Sequence, residues 1–147
     1  MSNFDINKSE MLNFYRGKGW MVLNGEYTNK GKLDHNNNVF QNKFCLFDIL
    51  VYDSQYLIGQ TLQKRIDLLQ KLYETGDEYI NRLSENFYLV NCYYNNFLET
   101  YNELIKIDLI EGVVLKRKNA KLEIGNSENN NSKSQIKSRK PTKNYKF

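Results

Sequence analysis

Histidine, tryptophan and proline each occur once in this chain of 147 residues, and cysteine only twice. Cys45 and Cys92 lie inside apolar runs without Cys-x-x-Cys spacing, so buried thiols are expected rather than a disulfide framework or a zinc knuckle. His35, alone in a polar stretch, offers no histidine ligand set and reads as a surface residue. Long hydrophobic runs are missing too. Nothing approaches the roughly 20 apolar residues of a membrane span, and Met1 to Glu10 has no apolar signal region, so a cytoplasmic protein is expected. We find no internal repeat.

What is present is aromatic and, at one end, basic. Eleven Tyr and eight Phe within a 40% hydrophobic composition suit one folded domain built on aromatic-rich strands. Residues 116–147 hold ten of the 21 Lys and Arg against two acids, Glu123 and Glu128, giving +8, while the remaining chain is −4. Such a basic end is an electrostatic footprint for phosphate or nucleic acid, or else a solvated low-complexity tail.

Hydrophobic patterning orders the chain. Trp20 to Tyr27 reads as a strand stopped by the turn-prone Asn24-Gly25, and Thr28 to Asn38 as a polar loop. Phe44 to Tyr52 is an apolar run expected to be buried on both faces, with one charge, Asp48. Thr61 caps a predicted helix whose stripe is Leu62, Ile66, Leu69 and Leu72, with Gly76 as the stop signal. Phe87 to Tyr94 predicts a strand, with Tyr93 and Tyr94 as sheet and core residues rather than base-stacking platforms. Phe97 to Ile107 predicts a short helix with Phe97, Tyr101, Leu104 and Ile105 on one side, and Glu111 to Lys116 a strand. A flexible connection over Gly125 to Lys133 and a basic segment, Gln135 to Lys140, precede Pro141. This order predicts an α+β domain with a largely antiparallel sheet and flanking helices. Its expected parts are a 1–19 N-terminal segment, a 20–140 domain and a 141–147 basic tail.

Three acids stand out. Glu26 follows a turn, Asp48 lies in a buried strand where it must be paired or hydrogen-bonded, and Glu111 opens a strand that ends at Lys116. Arg65, on the predicted helix, is a partner for a site acid or part of a solvated face. By alternation Glu111, Val113 and Leu115 share one face and Lys116 takes the other. Hard oxygen ligands suit Mg²⁺, cations suit phosphates and an aromatic face suits a purine.

Four blocks in this order, Val22-Leu23-Asn24-Gly25-Glu26-Tyr27, Phe44 to Asp53, Leu62 to Leu69 with Arg65, and Glu111-Gly112-Val113-Val114-Leu115-Lys116, resemble successive motifs of the covalent nucleotidyltransferases. That superfamily comprises ATP-dependent DNA ligases, RNA ligases and mRNA capping enzymes, and the resemblance covers roughly residues 20 to 140. It implies part of an ATP-grasp-like adenylation domain that binds ATP and Mg²⁺. Glu26 would contact the ribose, Phe47 would stack on adenine with Asp48 beside it, Glu111 would help bind the metal, and Lys116 would end the strand at the cofactor. Lys137-Ser138-Arg139 falls where the family has a Lys-x-Lys motif gripping the α-phosphate; Arg139 replaces the second lysine, the usual preceding tryptophan is missing, and Lys143 and Lys146 are the alternatives.

In this chemistry a lysine amine attacks the α-phosphate, and the nucleotide rests on it before passing to a 5′-phosphate. The family's Lys-x-Asp-Gly nucleophile motif is not spelled anywhere in these residues. Lys32-Leu33-Asp34-His35 has a similar outline, ends in His35 and lies on the wrong side of Glu26, so Lys32 is treated as a decoy. The expectation is therefore a fragment, half of a split enzyme or a relic, inactive alone. Its partners would be nicked DNA, or RNA, and a separate chain with the lysine motif and an oligonucleotide-binding domain, in DNA repair or replication. The alternatives are an RNA ligase, a guanylyl-transferring capping enzyme and a non-catalytic nucleotide-binding or nucleic-acid-binding relic.

Overall fold

The computed structural model describes residues 6–122 and 132–141. The expected connection at Gly125 to Lys133 lies mostly outside the described residues; so do Lys143, Lys146 and nearly all of the 141–147 tail. Among the described residues no helix is long and apolar enough to cross a membrane.

The centre of the fold is the apolar run that the sequence marks most strongly. It forms β4 (Lys43–Tyr52), flanked on one side by antiparallel β1 (Val22–Thr28) and on the other by parallel β7 (Phe87–Val90). Beyond β7 lies antiparallel β6 (Ile80–Arg82), and the short β5 (Gln55–Tyr56) folds back on the end of β4. Most pairings are antiparallel, as the patterning predicted. Helix α2 (Leu62–Tyr73) packs on β4 through Ile66 and Leu69, with Leu62 and Leu72 partly buried beside them, so the predicted stripe is the packing face. The Thr61 side chain caps the helix as expected by accepting from the Lys64 amide, and Glu74 in a left-handed conformation ends it.

Helix α1 (Lys8–Phe14) is an element that the patterning does not announce. It contributes one core side chain, Phe14, stacked on Phe87 at a centroid distance of 4.2 Å and on Tyr73 at 5.0 Å. It also buries Glu10, which accepts hydrogen bonds from the Ser84 hydroxyl (2.6 Å), the Asn86 amide (2.7 Å) and the Asn86 side chain (2.8 Å). Burial pushes the Glu10 carboxyl up, but these donors outweigh it and hold it below its usual 4.5.

The polar stretch expected as a loop contains a small hairpin, β2 (Lys32–Leu33) with β3 (Val39–Phe40), whose Phe40 reaches a second cluster with Ile80 and Leu109. Strand β7 is shorter than predicted. It stops at Val90, leaving Tyr93 and Tyr94 outside the sheet and 39% and 54% exposed, where the alternation had suggested sheet and core positions. Helix α3 (Phe97–Leu104) buries none of its residues. Strand β8 (Gly112–Lys116) pairs with β9 (Gln135–Arg139) as a separate two-stranded antiparallel sheet, so the basic segment is a strand.

Candidate nucleotide site

The first two site blocks lie on neighbouring strands. Asn24 pairs with Asp48 and Gly25 with Leu46, so the register steps over Phe47, which is left as the extra residue of a bulge in β4. A bulge bends the strand and re-aims the side chain it leaves unpaired. Gly25 makes this possible: a Cβ there would collide with the Cys45 carbonyl and the Phe44 ring. The glycine of the "LNGE" block thus serves close strand approach. Gly112 does the same in β8, where a side chain would strike the Ser138 carbonyl of β9.

Asp48 is the buried acid that demanded a partner. The Arg65 guanidinium meets it with two bonds, Nε to Oδ1 at 2.8 Å and Nη2 to Oδ2 at 2.9 Å, and the Ile49 amide also donates to Oδ1 at 2.8 Å. Arg65 is only 3% exposed, and its Nη1 donates to the Gln60 carbonyl at 2.8 Å. A planar fork on a carboxylate fixes direction as well as distance. The pair therefore ties the strand carrying Phe47 to helix α2. Of the two readings of Arg65, pairing with a site acid is the one realised.

Lys116, at the end of β8, lies over the Phe47 ring, its ammonium 4.9 Å from the centroid. Burial of that ammonium lowers its pKa, against the attraction of Asp48 and Cys92 and with the repulsion of Arg65 and Lys137. The residue as a whole keeps substantial exposure, so the crowding belongs to the tip of the side chain. The hairpin and the large sheet thereby bring Phe47, Asp48, Lys116 and Lys137 into one neighbourhood.

Glu111 is elsewhere on the same hairpin. Its carboxylate takes the Lys32 ammonium at 2.7 Å, and Lys32, then Arg139 and Lys140, hold it below the usual carboxylate range. The lysine set aside as a decoy is thus the direct partner of the acid expected to bind metal. Lys140 is engaged by the Ile107 and Asp108 carbonyls at 3.1 and 3.3 Å, and the Arg139 carbonyl accepts from the Tyr101 hydroxyl at 3.1 Å. Glu26 sits on β1 opposite Cys45, exposed, and its charge joins burial in raising the Cys45 thiol to about 12. Both cysteines are free. Among the described residues no three His, Cys, Asp or Glu side chains gather into a set that could hold a metal ion.

In this α+β domain a bulged aromatic strand is clamped to a helix by a buried ion pair and faced by Lys116 from a second sheet. The sequence matches the family described as ATP dependent DNA ligase domain over residues 9–135. The chain belongs to that family and carries its adenylation domain. Comparison with curated proteins and with solved structures gives no match.

Proposed function

We propose that this domain binds ATP with its base on Phe47 and its phosphates toward Lys137 and Arg139, for adenylate transfer to a lysine and then to a DNA 5′-phosphate during nick sealing. The observation that carries the reading is the Phe47 face, set by a bulge and covered by the Lys116 ammonium. An aromatic face that attracts a cation also stacks a purine, and a purine on that face displaces Lys116 toward the phosphates. Glu26 is assigned to the ribose. Lys137 and Arg139 on β9 supply positive charge where negative charge grows on the α-phosphate.

Glu111 fits a divalent cation. Mg²⁺ is commonly held by one or two carboxylates with substrate phosphates completing the shell, and Glu111 is ionised and largely exposed, its side chain keeping 70% of its accessible surface. Bound there, the ion would neutralise phosphate charge. Lys32 must release the carboxylate for this to happen. The nucleophilic lysine comes from a Lys-x-Asp-Gly segment outside these 147 residues, carried by a partner chain in the split-enzyme form of this reading.

Incubation of the purified chain with α-labelled ATP and Mg²⁺ tests both parts. ATP should bind reversibly, Phe47→Ala should weaken binding about tenfold by removing the stacking face, and no label should survive denaturing electrophoresis. Adding a polypeptide with the Lys-x-Asp-Gly segment should restore label. Undiminished binding by Phe47→Ala defeats the nucleotide site; stable label on this chain, lost in Lys32→Ala, moves the nucleophile to Lys32.

A further inference from the structure

The ion pair between Lys32 and Glu111 joins two stretches of backbone that are fixed by other contacts. Lys32 lies on β2 opposite Phe40, which is buried in the cluster with Ile80 and Leu109. The next residue, Leu33, donates its amide to Asp108 Oδ2 at 2.9 Å, and its carbonyl accepts from the Leu109 amide at 2.9 Å. Glu111 follows two residues later, and its own carbonyl accepts from the amide of Lys140, just beyond β9, at 2.9 Å. The two side chains can therefore part without moving the strands.

The partners differ in exposure. The Lys32 side chain keeps 27% of its accessible surface and the Glu111 side chain 70%. A lysine whose stem is covered has already lost much of its rotamer freedom, so its ammonium is placed at the acid in advance. It takes Oε1 at 2.7 Å, and among the described residues Oε2 accepts no hydrogen bond. Arg139 and Lys140 add positive field at Glu111, but Lys32 is the cation that touches it. A divalent ion needs the same carboxylate, and it is repelled by an ammonium already there in proportion to its double charge. An ion pair in contact with water is nevertheless weak. Such an occupant shifts an affinity without closing the site.

We propose that Lys32 sets the affinity of Glu111 for a divalent cation: its tethered ammonium competes for the carboxylate and swings away when the ion binds. The inference rests on the reading that Glu111 holds the ion. It adds the residue, 79 positions away, that determines how tightly the ion is held. The lysine with the outline of a nucleophile thereby gains a role that needs no covalent chemistry.

Mn²⁺ binding to the full chain without nucleotide, with the free ion followed by its electron paramagnetic resonance signal, tests it. Lys32→Met, which keeps the covered stem and removes the charge, should bind about two- to fivefold more tightly than the parent. Lys32→Arg, which keeps the charge, should bind no more tightly than the parent. Glu111→Gln should weaken binding, and Lys32→Met/Glu111→Gln should bind as weakly as Glu111→Gln alone, because without the acid there is nothing to compete for. Unchanged affinity in Lys32→Met beside a loss in Glu111→Gln overturns the competition and leaves Glu111 as the metal acid. Equal tightening by Lys32→Met with and without the acid also overturns it, since that is the general field of one charge less. Parental affinity in Glu111→Gln takes the ion away from Glu111 and defeats both readings.

Discussion

The large sheet with α2 and the β8–β9 hairpin handle charge in opposite ways. In the first, the buried charges among the described residues are spent: Asp48 on Arg65 and, where α1 packs against the sheet, Glu10 on Ser84 and Asn86. In the second, Glu111 and its Lys32 partner stay in contact with water, and Val114, Leu115 and Ile136 are 43%, 43% and 57% exposed. Removing a charge from water makes its partner obligatory, whereas an exposed pair can exchange partners at small cost. The first region therefore acts as scaffold and the second as a surface whose pairings can be exchanged. The Lys116–Phe47 contact is the seam between them.

Changes inside the scaffold should break hardest. Arg65→Met leaves the Asp48 carboxylate buried without its partner and should cost about 3–5 kcal/mol in chemical denaturation, with most of it recovered in Asp48→Leu/Arg65→Met. A single variant that is nearly neutral would mean that water reaches Asp48 and that the contrast between the regions is false.

A smaller effect is expected at α1. Glu10→Gln replaces an ionised acceptor of three hydrogen bonds and should cost about 1–3 kcal/mol at neutral pH. The carboxyl lies below its ordinary 4.5 in the fold, so its stabilisation is fully present above that pH and is lost as pH falls through the lower folded value. Denaturation midpoints below pH 4.5 should therefore drop for the parent and flatten for Glu10→Gln. Parallel curves for the two proteins would remove Glu10 from the acid response.

The smallest change belongs to the hairpin. Lys32→Ala deletes the ion pair to Glu111 and should alter stability by no more than about 1 kcal/mol, less in high salt. A loss of several kcal/mol would show that the hairpin is bound to the rest of the fold as rigidly as the scaffold itself.

Much of the fold could be read in advance because its signals are local. The Phe44–Tyr52 run, the stripe and cap of α2 and the Gly-Val-Val-Leu strand each carry their pattern within a few residues. Helix α1 escaped because a seven-residue helix with one core side chain has too little periodicity to register. The β2–β3 hairpin escaped because two-residue strands in a polar stretch leave no alternation. Tyr93 and Tyr94 continued an apolar pattern past the point where β7 loses its neighbours, so local preference pointed inward while pairing left them outside. For the candidate site, motif order pointed to Phe47, Glu111, Lys116 and Lys137 as residues to examine. Their partners could not.

The sequence by itself determined the family blocks, the α+β order and the need for Asp48 to be paired, since these follow from residue type, spacing and the penalty of burying a charge. Only the tertiary structure decided that Arg65 is that partner, that Lys32 holds Glu111 across 79 positions and that Lys116 covers Phe47. Such choices depend on which strands and helices come to lie side by side, a long-range outcome of packing that no window of neighbouring residues contains.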